Sequence, residues 1–501
     1  YPEYVCLLHA ARLIGRPVKW TDERSSSFLS DSHGRDHAIR LTGTGNMGAY
    51  LGAVAPLPPT INAVKNMVSV YRTPLIEVST QCVFTNTSMV TAYRGAGRPE
   101  GNYFMERLVD NAAREMGIDR LELRRRNQLK PKELPYAAAS DQTYDSGDFP
   151  AVFKHALELA DWKGFSKRKR DSVKRGRLRG IAVGSYLEVT APPNKEMGGI
   201  RFEADGTVTF ITGTLDYGQG HATPFAQILS SRLGIPFDRI ALLQGDSDEL
   251  IIGGGTGGSR SAAASSMAMV EAIAKVIEQG KLVASHLLEA AVQDIEFAKG
   301  RFTIAGTDRS IGVMELAQQL RGNPKLPAGT PTSLDVKLAS EAVPAAFPNG
   351  CHVAEVEIDP DTGTIEVVKY TSANDFGTVI NPMLVEGQMH GGLVQGIGQA
   401  LMENTVYDQD GQLITGSYMD YAMPRASDVP SFVTAHHPVP AKTNPLGIKG
   451  CGEAGCAGAL VSVMNAIVDA LSPYGIRHID MPATPERVWQ AIQRAQSAPA
   501  S

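Results

Sequence analysis

Glycine placed just ahead of helix-forming sequence is the feature that most restricts this chain. The 501 residues include 50 glycines, and many gather in segments that run straight into an apolar helical pattern. Leu215-Asp-Tyr-Gly-Gln-Gly-His221 follows a strand-like run and precedes a stretch with Phe225, Ile228, Leu229 and Leu233 on one face. Gly253-Gly-Gly-Thr-Gly-Gly-Ser-Arg-Ser261 opens a long helical stretch to about residue 291, and Gly450-Cys-Gly-Glu-Ala-Gly-Cys456 opens another to about residue 471. A helix start leaves its first N–H groups without partners and carries the positive end of the dipole, so anions are favoured there. Glycine lets a ligand approach that backbone closely. Several such starts in one chain point to a ligand with multiple polar and phosphate groups.

Two common nucleotide readings fail. The spacing G-x-G-x-x-G occurs at Gly43/Gly45/Gly48, Gly253/Gly255/Gly258 and Gly450/Gly452/Gly455, but none sits in a strand-turn-helix unit with an acidic residue about 20 positions on. No G-x-x-x-x-G-K-[ST] is present, which excludes a P-loop. The composition, 43% hydrophobic and 20% charged with a net charge of -5, is that of a soluble globular protein and gives no sign of nucleic-acid binding. The basic run 162–179 (Lys167, Arg168, Lys169, Arg170, Lys174, Arg175, Arg177, Arg179) lacks interleaved aromatic residues, so it reads as a solvated helix and linker. Five scattered cysteines make no disulfide framework and no C-x-x-C pair, which favours a reducing, cytoplasmic setting. Even the apolar stretch 457–471 carries Asn465 and Asp469 and falls short of the roughly 18–20 residues a membrane helix needs. His436–His437, and His33 with His37, have no third ligand at useful spacing and read as surface or core histidines.

A chain of this length exceeds the roughly 250–300 residues at which one core stops growing, so two or three lobes are expected. Helix and strand signals alternate, the pattern of an α/β or mixed α+β fold. We place a first lobe at 1–160, a basic linker at 161–180 and a second lobe at 181–501. Strands are expected at 18–20, 39–42, 76–90, 181–187 and 208–214, with a helix near 101–116 and a short basic helix capped by Asp119 and ending near Asn127. Segment 322–343 reads as a surface loop, and Asp359-Pro-Asp-Thr-Gly363 as the turn of a hairpin between 353–358 and 364–370. Tyr1-Pro2 leads without a methionine or leader into a helical pattern at Val5, Leu8 and Ala11, so the start reads as cut from inside a fold.

The ordered motifs Tyr1-Pro-Glu, Gly15-Arg-Pro-Val-Lys-Trp20, Ala92-Tyr-Arg-Gly-Ala-Gly-Arg-Pro-Glu100, Tyr217-Gly-Gln-Gly-His221, Gly258-Ser-Arg-Ser261, Asn381-Pro-Met-Leu-Val-Glu-Gly-Gln388 and Gly450-Cys-Gly-Glu453 span nearly the whole chain. Together they resemble the molybdenum-binding large subunits of the xanthine oxidase/aldehyde oxidase hydroxylases, most nearly the aerobic carbon monoxide dehydrogenase branch. The resemblance implies a two-lobed fold around a molybdenum centre held by a pterin, in the cytosine dinucleotide form, rather than by protein ligands. It implies that Gln219, flanked by Gly218 and Gly220, approaches the metal's oxo ligand and the pterin. It makes Arg94, Gly95 and Ala96 the loop beside the metal, and Gly258, Ser259, Arg260 and Ser261 pterin and phosphate contacts. Asn381, Gln388 and Gly452 become further cofactor contacts. A neutral amide such as Gln219 can donate and accept without adding charge to an anionic centre, and serines and helix-start amides suit a diphosphate.

Glu453 matches the family's general base. Alone, it would read as an acidic residue stabilising a helix N-terminus; the surrounding motifs turn that reading towards chemistry. The implied reaction needs a carboxylate to take a proton from a metal-bound hydroxyl whose oxygen attacks an electron-poor carbon. An aldehyde or N-heterocycle is the implied substrate. Electrons would pass to an FAD-binding medium subunit and a 2Fe–2S small subunit, since neither flavin motif nor cysteine cluster occurs here.

Two departures bear on this. Carbon monoxide oxidisers of the family carry a copper-binding cysteine in the loop where Gly95 and Ala96 stand, and without a thiolate a soft Cu(I) site lacks its ligand. Carbon monoxide oxidation is therefore the alternative reading, and Ala96 is expected to leave room for a bulkier substrate where purine-oxidising relatives place an aromatic ring. The family's front lobe, with its Gly-Phe-Gly loop, should precede Tyr1, so a fragment or a split subunit completed by another chain is expected, and a catalytically incomplete fragment is the second alternative. Cys451 and Cys456, flanking Glu453, read as small buried thiols.

Overall fold

The chain is described by a computed structural model over residues 44–191 and 195–497, together with the backbone of the short strand His33–Gly34. The expected helix at Val5–Ala11, the strands at 18–20 and 39–42, the motifs at Tyr1 and Gly15, and the side chains of His33 and His37 lie outside the described residues.

In chain order the elements that build the site are α1 (Arg98–Glu115), α2 (Arg120–Asn127), α3 (Phe149–Leu159), α4 (Phe165–Lys174), β1 (Leu178–Leu187), β2 (Met197–Phe202), β3 (Val208–Ile211), α5 (Ala222–Leu233), β4 (Ile240–Leu243), α6 (Ser261–Leu287), β5 (Val336–Ala339), β6 (Asn349–Ile358), β7 (Ile365–Asp375), α7 (Pro382–Leu401), β8 (Phe432–His436) and α8 (Ala454–Ala470). They form a mixed α/β fold. One sheet has the order β8-β7-β6-β1, with β7/β8 parallel and the other pairs antiparallel; a second has the order β4-β3-β2-β5, with only β4/β3 parallel.

The hairpin expected about Gly363 is β6–β7. Its turn closes through Asp359 N–H to Thr364 O at 2.9 Å and Gly363 N–H to Asp359 O at 2.8 Å. Every residue of β6 is buried, because α8, with α7 stacked behind it, covers one face while Val152, Phe153 and Ala156 of α3 join Ile181, Val183, Cys351 and Val353 on the other. A strand covered on both faces loses the alternation of a half-buried one.

The centre of the first layer is α8, in which every residue but Asp469 is buried. Its sequence is rich in Ala and Gly, and small side chains let neighbours come to backbone contact. A Cβ on Gly180 of β1 would lie 2.0 Å from Ala466 O, and one on Gly396 of α7 would lie 2.5 Å from Ala459 Cβ. Asp469 is held by Ile181 N–H at 3.0 Å and Arg120 at 3.3 Å. On α1, the fully buried Arg124 of α2 pairs with Glu106 and Asp110, each at 2.7 Å.

Several local expectations shift. The helix expected at 101–116 starts at Arg98, because Gly97 takes the left-handed conformation (φ 98°) and Pro99 fits the first turn. Asp119 caps α2 as expected, its Oδ1 accepting from Leu121 N–H at 3.0 Å and Glu122 N–H at 2.9 Å. Within 76–90 only Gln81–Val83 and the start of Val90–Thr91 are strand, and the expected loop 322–343 contains β5, whose Val336 pairs with Ile200 of β2.

The basic run contains a helix, as expected, but its cations are not all solvated. Segment 161–180 holds α4 and the start of β1, and several of its arginines neutralise carboxylates on β6. Arg168 and Arg179 reach Glu355 at 2.6 and 2.7 Å, and Arg179 reaches Glu357 at 2.8 Å. Glu355 and Glu357 are buried, where an unpaired carboxylate would be costly. The cluster of Leu121 and α3 with β1 and β6 also draws residues from both sides of this segment.

The close approach of β1 to α8 is testable. Gly180→Val would drive two methyls into Ala466 and Ala470 and lower stability by at least about 1–3 kcal/mol, seen as a reduced Tm of the assembled protein; an unchanged Tm would show that α8 does not touch β1 as described.

Candidate active site

The helices that follow the glycine-rich loops all begin at one place. A cavity of about 690 Å³ is lined by the 217–221 loop before α5, the 256–262 loop and start of α6, the approach and start of α7, and the 448–453 loop before α8, with Arg94 from the loop before α1. That volume is within the range of ligand pockets. Of the residues singled out from the sequence, Glu453, Gln219, Gly218, Arg94, Gly258, Ser259, Ser261, Asn381, Gln388 and Gly452 line it. Gly95, Ala96, Gly220 and Arg260 do not, although Gly95 touches Glu453.

Two loops meet back to back. A Cβ on Gly450 would lie 1.7 Å from Ser259 O, so only glycine permits the contact. This places the Ser259 hydroxyl beneath Glu453, where it accepts from Glu453 N–H at 3.0 Å and donates to Glu453 Oε2 at 3.4 Å. Gly95 N–H donates to Glu453 Oε1 at 2.8 Å. Gly95, Ala96 and Gly97 all have positive φ (102°, 44° and 98°) and Ser259 has φ 55°. Left-handed Ala and Ser residues carry strain, and such strain collects at functional sites.

Arg94 locks these loops to α7. Its Nε donates to Gly452 O at 2.5 Å, Nη1 to Gln395 Oε1 at 2.9 Å, and Nη2 to Gln388 O at 3.1 Å and Gln388 Oε1 at 2.8 Å. Asn381 caps α7 through Leu384 N–H at 3.1 Å and donates to Gln227 Oε1 at the same distance. Lys449, part of the wall, has a fully buried side chain that pairs with Asp375 at 2.6 Å.

The first glycine loop differs from expectation. Its N–H groups are not offered to a ligand: Gly218 and Gly220 donate to Asp216 Oδ1 at 2.8 and 3.2 Å, and His221 donates to Asp216 Oδ2 at 2.7 Å. Although burial raises the Asp216 pKa, these bonds win and hold it below the usual carboxylate range. Gln219 folds back on the same loop, donating to Leu215 O at 3.3 Å and accepting from Tyr217 N–H. The start of α6 remains the anion-friendly end, since its first i→i−4 bond is Ala264 N–H to Arg260 O and the preceding residues Ser261 and Ala262 line the cavity. An added Cβ on Gly218 or Gly257 would meet nothing within 4 Å, so both backbones stand open for close approach. Arg260 turns away, donating to Gly254 O at 3.0 Å.

Ala96 is buried and is not on the wall. Cys456 is buried, and Cys451 lines the cavity with its thiol pushed up to about 12 by burial and by the charge of Glu188. His436 lies against Phe376, and burial lowers its pKa. Among the described residues, no three His, Cys, Asp or Glu side chains gather to hold a metal, and no helix is long and apolar enough to cross a membrane.

Sequence reasoning missed two carboxylates, Asp216 and Glu188. Asp216 stands in plain view inside the first loop, and its side-chain role as a loop cap was the available signal. Glu188 extends the apolar run of β1 and is fully buried; an acidic residue continuing a buried strand was the signal there.

The sequence matches the molybdopterin cofactor-binding domain family over residues 155–430, and over 1–128 a second family of the same description. It is 35% identical to the 6-hydroxypseudooxynicotine dehydrogenase complex subunit gamma of Paenarthrobacter nicotinovorans, over 99% of this chain and 65% of that protein. The fold superposes on quinoline 2-oxidoreductase of Pseudomonas putida with a TM-score of 0.89 at 31% identity, covering 98% of this chain and 66% of that one. It superposes on carbon monoxide dehydrogenase of Oligotropha carboxidovorans with the same TM-score of 0.89 at 28% identity, covering 99% and 66%. The chain thus spans just under two thirds of the length of these relatives.

Loss of the Asp216 cap gives a prediction with a pH sign. Because folding lowers its pKa, Asp216 stabilises the fold above its unfolded value and loses that contribution as pH falls through the folded one. Asp216→Ala should cost about 1 kcal/mol near neutrality, as for loss of a helix cap, and the cost should shrink in acid. A melting-temperature difference that stays constant down to pH 3 would contradict the assignment.

Proposed function

Because the chain belongs to the xanthine dehydrogenase family of molybdenum-binding large subunits, through its molybdopterin cofactor-binding domains, we propose that it oxidises an aldehyde or an aromatic N-heterocycle with oxygen derived from water, Glu453 acting as the base. When bound, the pterin-held metal supplies the two-electron acceptor and the activated oxygen. The observation that carries the reading is the grip on Glu453: a backbone N–H and a hydroxyl from two different loops fix its oxygens at the wall of the cavity. A general base must be held within reach of the proton it takes, and here both restraints come from loops that are themselves locked.

The residues present fit a pterin dinucleotide. The α6 start, with Ser261 and Thr256 hydrogen-bonded at 2.8 Å, suits a diphosphate. The open faces of Gly218 and Gly257 allow a flat ring to approach the backbone. Gln219, Gln388 and Asn381 add neutral amides to the wall. We carry over the cytosine dinucleotide form, the FAD-binding and 2Fe–2S partner subunits, the cytoplasmic setting and two lobes at 1–160 and 181–501 as parts of the same proposal.

The remaining wall favours an N-heterocycle over carbon monoxide. Phe225, Ile228, Phe376, Val379, Leu384 and Val385 make it apolar, which suits an aromatic ring, and the structural likeness extends to a quinoline oxidoreductase. Copper would need a thiolate. The loop at Gly95 and Ala96 has none, and the Cys451 thiol is held in its protonated form.

In the assembled enzyme, Glu453→Gln should lower kcat by about 10²–10⁴-fold while molybdenum and pterin contents stay at wild-type levels. Turnover of aldehydes and N-heterocycles within a few-fold of wild type would remove Glu453 as the base, and purified enzyme lacking both metal and pterin would remove the whole reading. Ser259→Ala should give a smaller loss of kcat, about 10-fold, on the scale of one hydrogen bond to a charged group; no change in kcat would show that the hydroxyl does not hold the base.

A further inference from the structure

The chemistry described so far uses one carboxylate, yet the site holds two. Glu188 immediately follows β1, where its N–H donates to Pro348 O at 2.8 Å and its side chain is completely buried. Neither carboxyl oxygen is satisfied by a well-formed hydrogen bond. The groups that act on it are the Glu453 carboxylate and the Ser259 hydroxyl from the two helix-opening loops, and Arg98 from α1. Arg98 opposes the rise through its charge, but three of its five N–H groups go to Val189 O at 2.8 and 3.0 Å and to Gly95 O at 3.3 Å, and neither Glu188 oxygen accepts a hydrogen bond from it. Cys451 and Tyr186 also face Glu188, and burial keeps both protonated.

Two neighbouring carboxylates, one of them wholly buried with both oxygens unpartnered, do not readily both ionise. Glu453 has the better site for a charge, with hydrogen bonds from Gly95 and Ser259. Glu188 has burial and a neighbouring anion, which together push it up to about 8 against the opposing effects of Arg98 and Ser259.

We propose that Glu188 is a positioning residue that stores one proton beside Glu453, offering its O–H to the Glu453 carboxylate so that the base is held in place without a second negative charge next to it. The proposal rests on Glu453 being the base. No net transfer is needed for this role: the stored proton stays on Glu188 while Glu453 takes the proton that comes from the substrate side. Above about pH 8 the stored proton leaves, a second anion appears in the pair, and Glu453 is pushed out of its place.

The sign for stability follows from the same proton. Folding raises the pKa of Glu188 from 4.5 to about 8, so between those values the folded state holds a proton that the unfolded chain has lost. Stability therefore falls as pH rises through that window, and Glu188→Gln, which keeps the shape but has no proton to lose, should remove that part of the slope.

Three measurements on the assembled enzyme test this. Infrared titration should show a protonated carboxyl that persists to near pH 8 in the wild type and is missing in Glu188→Gln; absence of such a band in the wild type, or its survival in Glu188→Gln, would overturn the proposal. The Tm of Glu188→Gln should gain on that of the wild type steadily from pH 5 to pH 8, and a constant difference would count against a stored proton. In turnover, Glu188→Gln should keep kcat within about three-fold at pH 7 and lose the downturn above pH 8, whereas Glu188→Leu, with no donor, should lose at least about ten-fold at unchanged molybdenum content. A Glu188→Gln enzyme that keeps the wild-type alkaline limb would sink the role in positioning. If Glu453→Gln turns over normally while the infrared band behaves as expected, the base assignment fails and the proton-sharing pair stands.

Discussion

The contact between Gly450 and the Ser259 carbonyl decides where the carboxylate sits. A single methyl at residue 450 would be 1.7 Å from that oxygen, so the two helix-opening loops are as close as backbones can come. From that approach follow the seating of the Ser259 hydroxyl under Glu453, the reach of Gly95 N–H to the other carboxylate oxygen, and the span over which Arg94 can bind Gly452, Gln388 and Gln395 together. The base is thus oriented by one backbone N–H and one short hydroxyl side chain, groups that lose little freedom when a ligand arrives. Preorganisation of this kind lets an electrostatic site act without rearranging.

Such a site is costly to build. Glu188 is buried beside another carboxylate, Ala96 and Ser259 sit in left-handed conformations, and each strained residue costs about 1–3 kcal/mol. The compensation lies one layer back. Helix α8, whose first turn follows Glu453, is buried along nearly its whole length between β1, β6 and α7, and the Ala and Gly contacts that allow this leave it little room to shift. The rigid core therefore holds a strained rim, and the strain stays where the chemistry is proposed.

Much of this was legible in sequence because it is local. The glycine loops, the Asp119 cap, the turn at Gly363 and the start of α8 at residue 454 all depend on neighbours within a few positions. What was missed depends on distant partners. The basic run 162–179 reads as a solvated helix and linker until Glu355 and Glu357, about 180 positions on, are seen to need its arginines. Likewise Glu188 is an ordinary strand-end carboxylate until its complete burial and the influence of Glu453, more than 260 positions on, are seen. The burial of Ala96 was not legible either, because it follows from the left-handed turn at 95–97.

Asp216 shows why loop composition alone overstates ligand binding. A glycine-rich loop before a helix has donors to spare only if no side chain of its own reaches them, and Asp216 reaches three. The loop before α5 is therefore an already satisfied anion nest, rigid and complete, that presents the edge of Gln219 and the open face of Gly218 rather than positive charge. The loop before α6 carries no acidic residue between Gly253 and Ser261, so its helix start keeps its attraction for anions. One loop gives shape and the other gives charge. A ligand that combines a flat polar ring with a diphosphate satisfies both.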